Sequence, residues 1–178
     1  MAEVWPIEQV VLVGFMGSGK TSVGAELALR LGWPHLDTDE IIERAERRKI
    51  SDIFQNSGEQ YFRTLEARAT GALAAQKEVL ISTGGGWMMD PRLPAMLRPA
   101  ATLVWLEVSA EQALHRLGGT EARDCRPLLA SPDPEATVRR MLAEREPIYR
   151  TADHAISTDG LSVADVATEI EMLLRSHQ

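Results

Sequence analysis

The sequence predicts an α/β fold in three layers, with a parallel sheet of five strands between two layers of helices. Two observations carry this. Short apolar runs, Val10–Val13, Val79–Ser82 and Thr102–Leu106 among them, alternate with longer amphipathic stretches, the pattern of parallel strands joined by crossover helices. Three of the five runs also end in turns loaded with chemistry: Gly14 to Thr21, Asp37-Thr38-Asp39, and Thr83-Gly84-Gly85-Gly86. Ligands in such sheets sit beyond the carboxyl ends of the strands, so all three turns are expected to face one crevice.

The first strand, about Gln9–Val13, leads into Gly-Phe-Met-Gly-Ser-Gly-Lys-Thr from Gly14 to Thr21. This is the P-loop pattern G-x-x-x-x-G-K-[ST], set between a buried strand and a helix as that motif requires. Glycines allow backbone N–H groups to curl around a phosphate, and the helix adds its positive end. Gly14, Gly17, Ser18, Gly19, Lys20, Thr21 and Ser22 are therefore the candidate triphosphate contacts. Lys20 is placed to reach the outer phosphates and the Thr21 hydroxyl to ligate Mg²⁺. The helix from Lys20 to about Leu31 carries Val23, Leu27 and Leu31 on one face and stops at Gly32, with Pro34 beyond.

A short strand at His35–Asp37 precedes a charged helix with Ile41, Ile42 and Ala45 inside. Ser51 reads as the cap of a short helix through Ile53 and Phe54, broken by Asn56-Ser57-Gly58. A long helix then runs from about Glu59 to Gln76. After the third strand, Asp90 caps a helix with Pro91 at its first position, and Ser109 caps a helix to Leu117 following the fourth strand. Residues from Gly118 to Pro134 show no periodicity and hold Arg123 and Arg126, the features of a mobile lid. A helix from about Pro134 to Glu146, stopped by Pro147, a fifth strand at His154–Ser157 and a last helix over Ser162–Arg175 complete the chain.

At 178 residues, 44% apolar and 25% charged, the chain reads as one domain, residues 1–178, without repeats or linkers. The net charge of −7 argues against general nucleic-acid or anionic-membrane binding, so any anionic substrate must be held by locally placed cations. A lone cysteine, Cys125, excludes an internal disulfide and a Cys-rich zinc site, and the four histidines show no ligand spacing. Neither a membrane-length apolar stretch nor a signal-peptide layout is present, which makes the expected location cytoplasmic. The expected state is a monomer. No guanine-specificity motif Asn-Lys-x-Asp follows a later strand, and an arginine-bearing lid suits a small-molecule kinase that must exclude water.

Five further strings, in order, make the resemblance specific. Asp37-Thr38-Asp39, Gly58-Glu59-Gln60-Tyr61-Phe62-Arg63 with Glu66, Ser82-Thr83-Gly84-Gly85-Gly86, Arg126-Pro127-Leu128-Leu129 and Arg145-x-Pro147-x-Tyr149 together resemble the shikimate kinase family over about Val10 to Tyr149. The resemblance implies a P-loop kinase fold with strand order 2-3-1-4-5 and a lid at about 118–134. It also implies transfer from ATP, with Mg²⁺, to the 3-hydroxyl of shikimate on the route to chorismate and the aromatic amino acids. It implies that Arg63 and Arg145 hold the substrate carboxylate, a planar bidentate task that suits guanidinium. Asp39 would accept from the ring hydroxyls and act as base, while Gly84, Gly85 and Gly86 lie against the substrate. Lys20 and Arg126 would bind phosphate oxygens and stabilise transition-state charge, and Arg116 is similar in place to an arginine that packs on adenine. The other wall of the adenine pocket falls around Thr158–Leu161.

Several of these residues carry a second reading. Asp37, two residues before Asp39 on a segment read as extended, points to the same side and would serve Mg²⁺ through water; equally, the pair is an N-cap and first-turn acid. Glu66 lies one turn from Arg63 and would fix its rotamer, or the two form an ordinary exposed helix pair. Arg145 is also a favourable cation near a helix end. Trp87, where the family has a small residue, either narrows the substrate pocket or packs beneath the following helix. The rival enzymes are kinases of gluconate or nucleoside monophosphates, and the rival class is a non-catalytic nucleotide-binding regulator.

Overall fold

The computed structural model describes residues 7–118 and 132–176. Strands β1 (Gln9–Val13), β2 (His35–Asp37), β3 (Val79–Ser82), β4 (Ala101–Glu107) and β5 (His154–Ser157) form one sheet. Every pairing is parallel and the order is β2-β3-β1-β4-β5, as the resemblance implies. Among the described residues the helices are α1 (Lys20–Leu31), α2 (Thr38–Glu46), α3 (Ile50–Leu73), α4 (Arg92–Leu97), α5 (Ala110–Leu117), α6 (Pro134–Tyr149) and α7 (Val163–Ser176).

The strands are apolar without alternation because both faces of the sheet are covered. Val11 and Val13 of β1 join Ile81, Leu103 and Trp105 of its neighbours against Leu73, Leu97, Val138 and Tyr149 from α3, α4 and α6. Val10 and Leu12, one pleat away, join Leu80, Val104, Leu106 and Ile156 against Val23 and Leu27 of α1 and Val166 and Ile170 of α7. The sheet thus lies between two helical layers. No helix among the described residues is long and apolar enough to cross a membrane.

Most boundaries follow local signals. Gly32 adopts φ 70° at the end of α1, Ser109 Oγ accepts the Gln112 N–H at 3.2 Å, and Ser162 and Asp165 exchange bonds at the start of α7. Four expectations give way, one to a local cap and three to longer-range contacts. Asp39 is not on an extended segment but in the first turn of α2, whose N-cap is Asp37, with Oδ1 accepting the Asp39 N–H at 2.9 Å. Ser51 is not a cap: Lys49 stands at the N-cap of α3, and the Ile50 N–H is satisfied at 3.0 Å by Glu43, which reaches over from α2. α3 ends at Leu73 rather than Gln76, where the buried Gln9 side chain donates to the carbonyls of Leu73 and Gln76. α6 passes through Pro147 to Tyr149, which is 1% exposed and stacks on Trp105 at 5.8 Å, so tertiary packing holds the final turn despite the lost N–H.

Smaller differences also appear. Ala45 is exposed rather than inward, and a 3₁₀ turn over Trp87–Met89 precedes α4, at whose N-cap Pro91 stands. Gly58, with φ 80° and ψ 169°, breaks α3 where Asn56-Ser57-Gly58 indicates a break. The predicted lid falls almost wholly on residues 119–131, so that segment, with Arg123, Cys125 and Arg126, lies outside the described residues.

Candidate active site

Gly14 leaves β1 with φ 142°, and a Cβ there would stand 2.6 Å from the Leu106 carbonyl oxygen of the adjacent strand. Only a residue without a side chain can turn so tightly against the sheet. Lys20, the first residue of α1, is buried, and its ammonium donates to the carbonyls of Gly14 at 2.9 Å and Phe15 at 2.8 Å. Those bonds hold the cation in the curve of the loop, at the positive end of α1. Ser18 is buried, with Oγ 3.4 Å from the Lys20 ammonium, while Thr21 and Ser22 are exposed on the first turn of α1.

Asp37 joins this loop to the second strand. Its Oδ2 accepts the Thr21 hydroxyl at 2.9 Å while Oδ1 caps α2. One carboxylate beside one hydroxyl fits Mg²⁺, which keeps waters and phosphate oxygens as most of its ligands. No group of three or more His, Cys, Asp or Glu among the described residues is placed to hold a metal. Behind the loop, Ser82 donates to the Lys20 carbonyl at 3.0 Å and lies 2.8 Å from His35 Nε2. Burial lowers the His35 pKa, against the pull of Asp37 and Glu40.

The triple glycine after β3 is where the remaining groups meet. A Cβ on Gly84 would lie 3.0 Å from Asp39 Oδ1 and 3.3 Å from Glu66 Oε1; on Gly85, 3.2 Å from the Met16 amide nitrogen; on Gly86, 3.2 Å from Arg63 Nη2. The Gly84 N–H donates to the buried Thr38 hydroxyl at 3.2 Å, which fixes the turn to the start of α2 beside Asp39. Arg63 donates to Glu66 at 2.6 Å and Glu59 at 2.9 Å. Glu66 is 1% exposed, so this is no ordinary surface pair. Burial pushes the Glu66 carboxyl above its usual range despite Arg63, and burial would lower the Arg63 guanidinium, but Glu66 and Glu59 together raise it. Arg145 comes from α6 on the far side, donating to the Gly85 carbonyl at 3.1 Å with its guanidinium 5.5 Å from the Phe15 ring centre.

Arg116, in the last turn of α5, donates to the Gly17 carbonyl at 3.2 Å, the Thr158 hydroxyl at 2.9 Å and the Thr158 carbonyl at 2.7 Å. It ties the P-loop to the end of β5. Asp39, Arg63 and Arg145 thus all reach the Gly84–Gly86 turn, which itself rests against the P-loop backbone at Met16.

The family model for shikimate kinase matches residues 16–175. The chain belongs to the shikimate kinase family. It is 42% identical over 167 residues to the shikimate kinase of Moorella thermoacetica, covering 94% of each chain, and 44% identical over 149 residues to that of Rhodopseudomonas palustris, covering 84% of this chain and 72% of the relative. The structure of the shikimate kinase from Acinetobacter baumannii in complex with shikimate superposes with a TM-score of 0.90 at 35% identity, over 97% of this chain and 96% of that one. A gluconokinase from Sinorhizobium meliloti shares only the fold, with a TM-score of 0.62 at 18% identity.

Within this shikimate kinase frame, Asp39, Arg63, Arg145 and Gly84 to Gly86 come together, as do Thr21 with Asp37 and Arg116 with Gly17. Trp87 packs: it is fully buried and its indole N–H donates to Thr70 at 2.9 Å, beneath the turn. Sequence reasoning missed Thr38, Ser82 and Tyr149 as supports of the site, and the two hydrogen bonds that Arg116 donates to Thr158. Thr38, Ser82 and Tyr149 stand inside the family strings, which is a signal; His35 gives none, because its pairing with Ser82 depends on strand register.

Proposed function

We propose that this chain transfers the γ-phosphoryl group of ATP to the 3-hydroxyl of shikimate, giving shikimate 3-phosphate and ADP for the route to the aromatic amino acids. The observation that carries this reading is the convergence of Asp39, Arg63 and Glu66 on the Gly84–Gly86 turn, with Arg145 bonded to Gly85. That arrangement supplies cations for a carboxylate at one end and an acceptor for hydroxyls at the other, within reach of a P-loop.

In this mechanism Arg63 and Arg145 bind the shikimate carboxylate, and Glu66 holds the Arg63 guanidinium in place. Asp39 accepts the proton of the 3-hydroxyl as that oxygen forms its bond to the γ-phosphorus and the bond to the β-phosphate oxygen breaks. Positioning carries most of the rate, since the transition state has little covalent chemistry for the protein to perform. Lys20 and the P-loop amides of Gly14, Gly17, Ser18 and Gly19 take the phosphates, with Thr21 and Ser22 at the helix start and Arg116 beside the nucleobase. Thr21 and Asp37 would hold Mg²⁺, Asp37 through water; the ion neutralises charge on the phosphate oxygens when bound. Arg126, which lies outside the described residues, would bind phosphate oxygens, as the family resemblance implies. The enzyme works as a single-domain monomer in the cytoplasm.

The test is a coupled ADP-release assay with ATP and Mg²⁺, with shikimate or gluconate as acceptor. Release that needs shikimate and collapses in Asp39→Asn supports the reading. Release with gluconate alone, or equal release in the variant, contradicts it.

A further inference from the structure

We propose that Tyr149 is a positioning residue for the acceptor site, acting through the carbonyl of Gly85. This rests on the reading above, in which Gly85 and Arg145 meet the substrate. The carbonyls of Gly84 and Gly86 are taken by the turn that follows, accepting the N–H groups of Trp87 and Met89 at 3.0 Å. The Gly85 carbonyl is taken instead by side chains of α6. It accepts the Tyr149 hydroxyl at 2.5 Å and Arg145 Nη1 at 3.1 Å.

The two donors are four residues apart on one helix, so they reach the same oxygen from one face. Tyr149 cannot drift. It is 1% exposed and its ring stacks on Trp105 of β4. Burial raises its phenol pKa while the neighbouring Arg145 guanidinium draws it down, so the hydroxyl keeps its proton and donates at neutral pH. On its other side Gly85 rests against the P-loop backbone at Met16. A residue without a side chain is therefore clamped between the phosphate loop and α6, and its carbonyl is the point where that clamp closes. Without the phenol, one of two donors is gone, and both the Gly85 peptide and the Arg145 guanidinium lose a shared reference.

The test compares Tyr149→Phe, Arg145→Ala and the double variant in steady-state kinetics with both substrates. Tyr149→Phe keeps the ring and its stacking. It is expected to raise KM for shikimate about three- to tenfold, the span of one lost hydrogen bond, and to leave KM for ATP within about twofold. The double variant is expected to lose less than the product of the single effects, because both act at one oxygen. A raised KM in Arg145→Ala with none in Tyr149→Phe overturns the inference and leaves the functional reading standing. No change in either variant defeats the functional reading itself. A merely structural Tyr149 would lower the unfolding temperature without separating the two KM values, which also overturns it. If Tyr149→Phe does not fold, 3-fluorotyrosine at position 149 tests the same bond. Its more acidic phenol is expected to bring the alkaline rise in KM for shikimate to lower pH, and an unshifted profile overturns the inference.

Discussion

The Thr21 hydroxyl donates to Asp37 Oδ2 at 2.9 Å, joining the end of the phosphate loop to the end of the second strand. The same carboxylate caps α2 through Oδ1. The capping duty and the proposed Mg²⁺ duty therefore fall on different oxygens of one side chain, and Asp39 is placed by the helix that Asp37 starts.

Asp37→Asn separates the duties. Asparagine also caps helices, so the unfolding midpoint is expected to move little. The lost charge is expected to weaken Mg²⁺ activation about 10- to 100-fold, the usual effect of removing a metal's supporting carboxylate. A magnesium titration of the initial rate measures it.

Gly84→Ala would place a methyl group 3.0 Å from Asp39 Oδ1 and 3.3 Å from Glu66 Oε1. Displacing Asp39, the proposed base, by up to about 1 Å is expected to lower kcat by as much as about a hundredfold. KM for ATP is expected to stay unchanged, since the P-loop contacts lie on the Gly85 side of the turn.

Trp87 illustrates how a sequence departure resolves in the core. Trp87→Phe loses the bond to Thr70 and leaves a void, for a cost of about 1–3 kcal/mol. At this chain length that is a fall of about 2–4 °C in Tm per kcal/mol. The kinetic constants for shikimate are expected to match the wild type, because the indole lies beneath the turn.

The layers, the strand limits and the P-loop were legible because apolar runs and glycine or proline stops are local signals. Asp37, Arg63 and Gly84 to Gly86 were legible as a set only through the family strings, since nothing local says that strand ends meet. What stayed hidden was set by distant partners. Glu43 replaces Ser51 as the satisfier of the α3 start, and Tyr149 carries α6 past Pro147 because its ring and hydroxyl are both used in the core. For Asp37 and Asp39 the sequence leaves two readings, extended or N-cap with first-turn acid, and the structure takes the second.

His35 contributes a pH dependence to stability. Its folded-state pKa is depressed by burial, so its contribution is present above the unfolded value near 6.5 and is lost as pH falls through the lower folded value. Thermal unfolding at about pH 7.5 and about pH 5.5 is expected to show a smaller acid-side loss in His35→Gln than in the wild type. An equal loss in both proteins would contradict the role of burial at His35.

The most direct test of the whole account is the identity of the product. Phosphorus–proton correlation spectra of a completed reaction with ATP, Mg²⁺ and shikimate are predicted to show a phosphate ester coupled to the proton on carbon 3 of shikimate, with an equal amount of ADP. A phosphate ester elsewhere on the ring, or ADP formed with free phosphate and no ester, would contradict the placement of Asp39 against the 3-hydroxyl.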